Sequence, residues 1–176
     1  MLVAPAWAQE QRVALRAAEP SKGGFVLPER AERPPPSAEA FDTLKMVNAY
    51  RAAGATCGTQ RMDSAPPLVW SQQLEQAAIK HSQDMAARRD MSHSGGDGSR
   101  MRDRVARESY AWSNLGENVS AGYASIPAGL AGWMKSPGHC ANLMGTQFRE
   151  VGVGAAHASG DVYGWYRTMV LGNPSR

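Results

Sequence analysis

Long apolar runs are missing from this chain. No stretch approaches the ~20 apolar residues that a membrane-spanning helix needs, which argues against a transmembrane segment. A strong charge of one sign is missing too: 19 Lys and Arg against 16 Asp and Glu leave a net +3, too little to argue for a nucleic-acid partner. Internal repeats are absent, and 176 residues suit one domain large enough to bury a hydrophobic core. Cysteine is scarce, with Cys57 and Cys140 as the whole complement. In an oxidising compartment such an isolated pair forms one disulfide. Closing the 83 residues that separate them would stabilise by about 4–5 kcal/mol. The sharper alternative makes Cys140, beside His139, a nucleophile. Neighbours in sequence rarely orient toward each other as a catalytic pair, so the disulfide is favoured.

The chain opens without a basic stretch, yet Ala6-Trp7-Ala8 fits the small-x-small pattern of a secretory cleavage site. Residues 1–8 therefore read as a signal remnant, in preference to a mere apolar tail, and the remnant points to a secreted or periplasmic protein. Residues 9–37 mix Glu, Arg, Gly and Pro and end in Arg33-Pro34-Pro35-Pro36-Ser37, the composition of a flexible arm. Phe25-Val26-Leu27 is its only apolar run.

Order is expected from Ala38. Phe41, Leu44, Val47, Asn48 and Arg51 recur at helical spacing up to Gly54. Leu68-Val69-Trp70 reads as a buried approach to a helix capped by Ser71, with Leu74, Ala77, Ala78, His81 and Met85 on one face. His81 on that face reads as a core histidine rather than a ligand. A glycine-rich loop over 94–99 leads to an Arg-rich helix ending near Tyr110. Six Arg against three Asp between Arg88 and Arg107 read as a solvated face. Leu115–Tyr123 is extended, Ala128–Lys135 is helical, and Ser136-Pro137 suits a new helix start with His139 in its first turn. The positive end of that helix dipole would hold the imidazole neutral. Two strands close the chain, one alternating through Gly152 and Gly154. The other is apolar on both faces, with Tyr163, Trp165, Met169 and Leu171 opposite Val162, Tyr166 and Val170. A strand apolar on both faces is covered on both, which predicts a sheet between helical layers.

Three segments carry chemistry: Met91–Gly98 with His93, Gly116-Glu117-Asn118, and Ser136-Pro137-Gly138-His139-Cys140. Two imidazoles and a carboxylate could bind a metal, shuttle a proton or simply hydrogen-bond. Asn48–Gly54, His81 with Asp84-Met85-Ala86, Gly-Glu-Asn at 116–118, Gly138-His139 through Val151-Gly152-Val153-Gly154, and Thr168–Gly172 occur in order. Together they resemble the CAP superfamily of cysteine-rich secretory, antigen 5 and pathogenesis-related proteins, in its compact bacterial branch.

The resemblance covers residues 38–172, leaves 173–176 as a tail, and implies an α+β fold: a three-layer α-β-α sandwich with a central, mostly antiparallel sheet. It also implies a cleft tetrad of two His and two acids. His93, Glu117 and His139 match three members, whereas Ser136 stands at the second acid. In this branch a partner for Cys140 at the position of Cys57 is common, which supports the disulfide. No cofactor is implied as required, and zinc, held by His93, His139 and Glu117, is the candidate metal. The expected function is a secreted or envelope-associated binding module for a divalent metal or small polar ligand, monomeric, with no defined reaction and an unidentified extracellular partner. One alternative is a zinc-assisted hydrolase acting on peptide or cell-wall material. The other is a structural polar network, with function on the outer surface. Some relatives bind sterols or fatty acids in an apolar groove, but nothing in this sequence marks one.

Overall fold

The computed structural model describes residues 38–175; the expected signal remnant (1–8), the expected Pro-rich arm (9–37) and Arg176 lie outside the described residues. Among the described residues five helices run in chain order as α1 (Ala38–Ala53), α2 (Gln72–Arg88), α3 (Met101–Arg107), α4 (Ile126–Lys135) and α5 (Pro137–Met144). The strands are β1 (Ala55–Cys57), β2 (Gln60–Met62), β3 (Val69–Trp70), β4 (Trp112–Ala121), β5 (Glu150–His157) and β6 (Trp165–Pro174). A small β1–β2 hairpin stands apart from the main sheet, whose order is β3-β5-β6-β4. In that sheet the β3–β5 pairing is parallel, and β5–β6 and β6–β4 are antiparallel.

Alternation along β5 and β6 sorts their side chains to two faces. Val151, Val153, Met169 and Leu171 pack with Val47 of α1, Leu130 and Trp133 of α4, and Leu143 of α5. On the other face Val170 meets Leu74, Ala77 and Ala78 of α2 and Val105 of α3, while Tyr166 and Val119 meet Met85. The sheet thus lies between two helical layers, the expected sandwich. Gly152 and Gly154 let α2 lie against β5 backbone to backbone. A Cβ at 152 would stand 2.0 Å from the Glu75 nitrogen, and one at 154 would stand 2.2 Å from that of Ile79.

Several local expectations shift by a position or two. The buried stripe of α1 is Ala40, Thr43, Val47 and Arg51, which turns Phe41 outward at 59% exposure. In the edge strand β3, alternation buries Leu68 and Trp70 and exposes Val69. Val162 and Tyr163 precede β6 in an exposed turn, rather than flanking its core. The expected tail from 173 instead continues β6, with Asn173 opposite Asn114 and Pro174 opposite Trp112. Ser71 and Ser136 occupy N-cap positions without side-chain capping bonds, whereas Ser125 caps α4 through its hydroxyl.

Cys57 and Cys140 form a disulfide that ties β1 to α5 across a sequence separation of 83. With its sulfur so bound, Cys140 is not a nucleophile. Arg51 is fully buried and donates to the carbonyls of Pro66, Leu143 and Gly145, tying the segment before β3 and the C-terminal end of α5 to α1. Burial and the nearby Arg149 push its pKa down to about 10.

Candidate functional site

Glu117 projects from the middle of β4 with a side chain only 4% exposed. A buried carboxylate needs hydrogen-bonded partners, and each oxygen has one. His93 Nδ1 donates to Oε1 at 2.8 Å, and Arg104 Nη2 donates to Oε2 at 2.6 Å. Arg104 is itself buried, on α3, and also donates to the carbonyls of Ser99 and His93. It is therefore not part of a solvated face, in contrast to the exposed Arg88, Arg89, Arg100, Arg102 and Arg107. The strand carboxylate required a cation, and α3 supplies it.

Because a carboxylate only accepts, His93 donates to it through Nδ1, from a ring 55% exposed. His139 occupies the first turn of α5, as expected, and is half-buried. Burial, and then the charge of His93, hold its pKa below the ordinary imidazole value. Asn118 anchors this segment: its Nδ2 donates to the His139 carbonyl at 3.0 Å, and its Oδ1 accepts from Asn142 at 3.0 Å. Asn142 also donates to the Glu117 carbonyl, so the Gly-Glu-Asn segment and α5 are cross-braced. Ser136 sits at the N-cap of α5, its carbonyl accepting from Cys140. Glu150 opens β5.

His81 is buried on the inner face of α2, with Nε2 donating to the Ser92 carbonyl at 2.8 Å. It holds the start of the His93 loop and is a core histidine.

These contacts test the zinc set. Each Glu117 oxygen already accepts one hydrogen bond, from His93 and from Arg104. Among the described residues no group of three or more His, Cys, Asp or Glu is placed to hold a metal ion.

A second concavity was not legible in the sequence. Between α1 and α4 lies a groove of about 990 Å³, lined by Met46, Ala49, Ile126, Pro127, Trp165 and Arg167 among others. A cavity of about 380 Å³ extends it past Tyr50, Ala53 and Leu130, and shares Met46, Ala49 and Pro127 with it. The apolar residues that line it come from outward positions of α1 and from the start of α4, so no single periodic pattern announces it.

The profile of the CAP cysteine-rich secretory protein family matches residues 44–171. Among curated proteins, the chain is 31% identical over 87 residues to the uncharacterized membrane protein YlbC of Bacillus subtilis, which covers 49% of this chain and 25% of that protein. It is 25% identical over 130 residues to the uncharacterized protein YkwD of the same organism, which covers 70% and 51%. The chain thus spans at most about half the length of these curated relatives. An extracellular SCP-domain protein of Bacillus anthracis has a similar structure, with TM-score 0.64 and 29% identity over 77% of this chain and 40% of that one. An outer surface protein of Borrelia burgdorferi has the same fold at TM-score 0.60 and 15% identity, covering 76% and 94%. With its sandwich, its disulfide and its Gly-Glu-Asn strand in place, the chain belongs to the CAP family of cysteine-rich secretory proteins.

Proposed function

We propose that the protein is an extracellular binding module without a chemical step of its own, whose ligand is a long-chain amphiphile held in the α1–α4 groove. The groove is the observation that carries this reading. Its volume of about 990 Å³ and its mainly apolar lining suit a long hydrocarbon chain. The CAP resemblance adds sterols and fatty acids as the ligand classes seen among relatives. Export is supported by the signal-like start, by the disulfide and by the extracellular relative from Bacillus anthracis. Among the described residues no helix is long and apolar enough to cross a membrane.

A hydrolytic role is less well supported. A general base must be free to take a proton, and Glu117 is committed to Arg104 and His93. Ser136 offers no second carboxylate. The cleft supports a second reading, in which His93 and His139 hold a divalent ion through their free ring nitrogens, while Glu117 orients His93. Zinc titration by calorimetry, beside His93→Ala and His139→Ala, tests it. One-to-one binding lost in both variants would support a metal cleft, and no binding would leave the network purely structural.

The groove reading is tested with delipidated full-length protein and two C16 ligands of different head group, palmitate and 1-hexadecanol. Saturable one-to-one binding of either, weakened by Ala49→Trp, supports it. If neither ligand binds, or if Ala49→Trp changes nothing, the reading fails.

A further inference from the structure

The sheet leaves part of one edge of β5 unpaired. β3 is two residues long, and its register with β5 ends at Trp70 opposite Val151. The Val69 and Ser71 nitrogens donate to the carbonyls of Arg149 and Val151, which turns the Val151 carbonyl toward β3. Alternation turns the main-chain groups of Val153, Ala155 and His157 the same way, while those of Gly152, Gly154 and Ala156 face β6. Beyond Ser71 the chain leaves the sheet for α2, and among the described residues no hydrogen bond reaches the main chain of Val153 or Ala155 from that side. An unpaired edge is a template for another chain unless it is blocked, and Val153–His157 carries no Asp, Glu, Lys, Arg or Pro that would block it. Space stands beside the edge. A cavity of about 270 Å³ opens there between α1 and α2, lined by Val153, Gly154 and Ala155, by Glu39 of α1 and by Glu75 and Ile79 of α2, among others. It adjoins the α1–α4 groove, sharing Glu39, Ala155 and Trp165 with it, but it offers main-chain donors and acceptors where the groove offers side chains. The charged residues that line it are both acids, Glu39 and Glu75. Arg167, whose guanidinium senses Glu39, donates to the Tyr123 carbonyl and lines the groove rather than this cavity.

We propose that this edge docks an extended, basic peptide segment of a partner protein, which adds a strand to β5 in line with β3 and sets Lys or Arg side chains beside Glu39 and Glu75. The assignment does not rest on the groove reading. Val153 to His157 spans about 13 Å at strand rise, room for a segment of four or five residues. The partner's main chain would pair with the N–H and C=O groups of Val153, Ala155 and His157, which supplies affinity for any extended sequence. Its alternate side chains would enter the space between α1 and α2, where two carboxylates and Ile79 favour basic and aliphatic residues. The template is also stiff. α2 rests directly on Gly152 and Gly154, so little order has to be imposed on β5 when a strand is added.

The test screens full-length protein against a displayed library of random heptapeptides, then titrates the enriched sequences by calorimetry into wild type, Ala155→Pro and Glu75→Gln. Enriched sequences are expected to carry Lys or Arg at alternate positions. Proline at 155 removes an N–H that faces the open edge and leaves the β5–β6 ladder its donors, so binding should weaken about tenfold or more. Glu75→Gln keeps an acceptor for the Trp70 indole and should weaken basic peptides about threefold. Circular dichroism confirms that each variant is folded. Should Ala155→Pro not fold, N-methylated peptides on wild type decide: methylating one alternate set of N–H groups should abolish binding, and methylating the other should leave it within about twofold. No enrichment, enrichment of acidic peptides, or equal loss from methylating either set would overturn the proposal. So would a concentration-dependent dimer that Ala155→Pro abolishes, which would give the edge to a second copy of the chain.

Discussion

Removing the cation behind Glu117 should destabilise the fold more than any exposed charge change. In Arg104→Met the side chain keeps much of its bulk, but among the described residues Glu117 is left with His93 as its only side-chain partner. The two side chains are 8% and 4% exposed, so solvent screens the pair little. Breaking one partner of a buried ion pair costs about 3–5 kcal/mol, because an uncompensated charge remains. For a chain of this size that corresponds to a fall in melting temperature on the order of 10 °C. Glu117→Gln should cost less, since Arg104 retains the Ser99 and His93 carbonyls as acceptors. The double variant Arg104→Met/Glu117→Gln should be more stable than Arg104→Met alone, because no buried anion remains. Urea melts of the four proteins at pH 8 give the coupling directly. Two results would refute the reasoning: Arg104→Met costing under about 1 kcal/mol, as an exposed pair would, or strictly additive effects across the cycle.

Three further outcomes follow from the same structure. Replacing both cysteines by serine should cost about 4 kcal/mol in urea melts without changing the sheet's circular dichroism signature, because the bridge closes 83 residues of separation. Gly152→Ala should destabilise by at least about 3 kcal/mol in the same assay. Its methyl would collide with the α2 backbone at Glu75, and no rotamer can relieve that. Burial, followed by the charge of Arg104, lowers the pKa of His81, opposed by Glu117, Asp84 and the Ser92 carbonyl. Below the unfolded value of about 6.5 the unfolded chain binds the extra proton, so this contribution is fully present above that pH and lost as pH falls through the folded value. Melts from pH 8 to pH 5 should show that decline, and His81→Gln should flatten it.

The layered fold was readable because its core positions repeat. The α2 face from Leu74 to Met85 and the two-sided apolar strand around Met169–Leu171 are periodic, and period is what sequence displays. Gly152 and Gly154 were readable because a missing side chain in a strand implies close approach. His93, Glu117 and His139 stood out as titratable groups in constrained segments. Arg104 did not, because its helix carries several arginines and only the tertiary position of β4 distinguishes the buried one. A clue existed: Glu117 is the one charged residue of β4, and a carboxylate buried in a strand needs a partner. Arg167 offered a similar clue, a lone charge between Tyr166 and Thr168 in a core strand. The α1–α4 groove left no such trace, since it is a gap between elements rather than a property of either one.

The backbone contact between α2 and β5 has a mechanical consequence. With no side chains interposed at Gly152 and Gly154, that helix and strand have no soft layer through which to slide. The opposite face is built from side chains of α1, α4 and α5 over the sheet, which can change rotamer and shift slightly. Breathing of the sandwich must therefore come from α1 and α4 moving over a stiff plate. The groove lies on the compliant side of the molecule, and amide exchange should be faster in α4 than in α2.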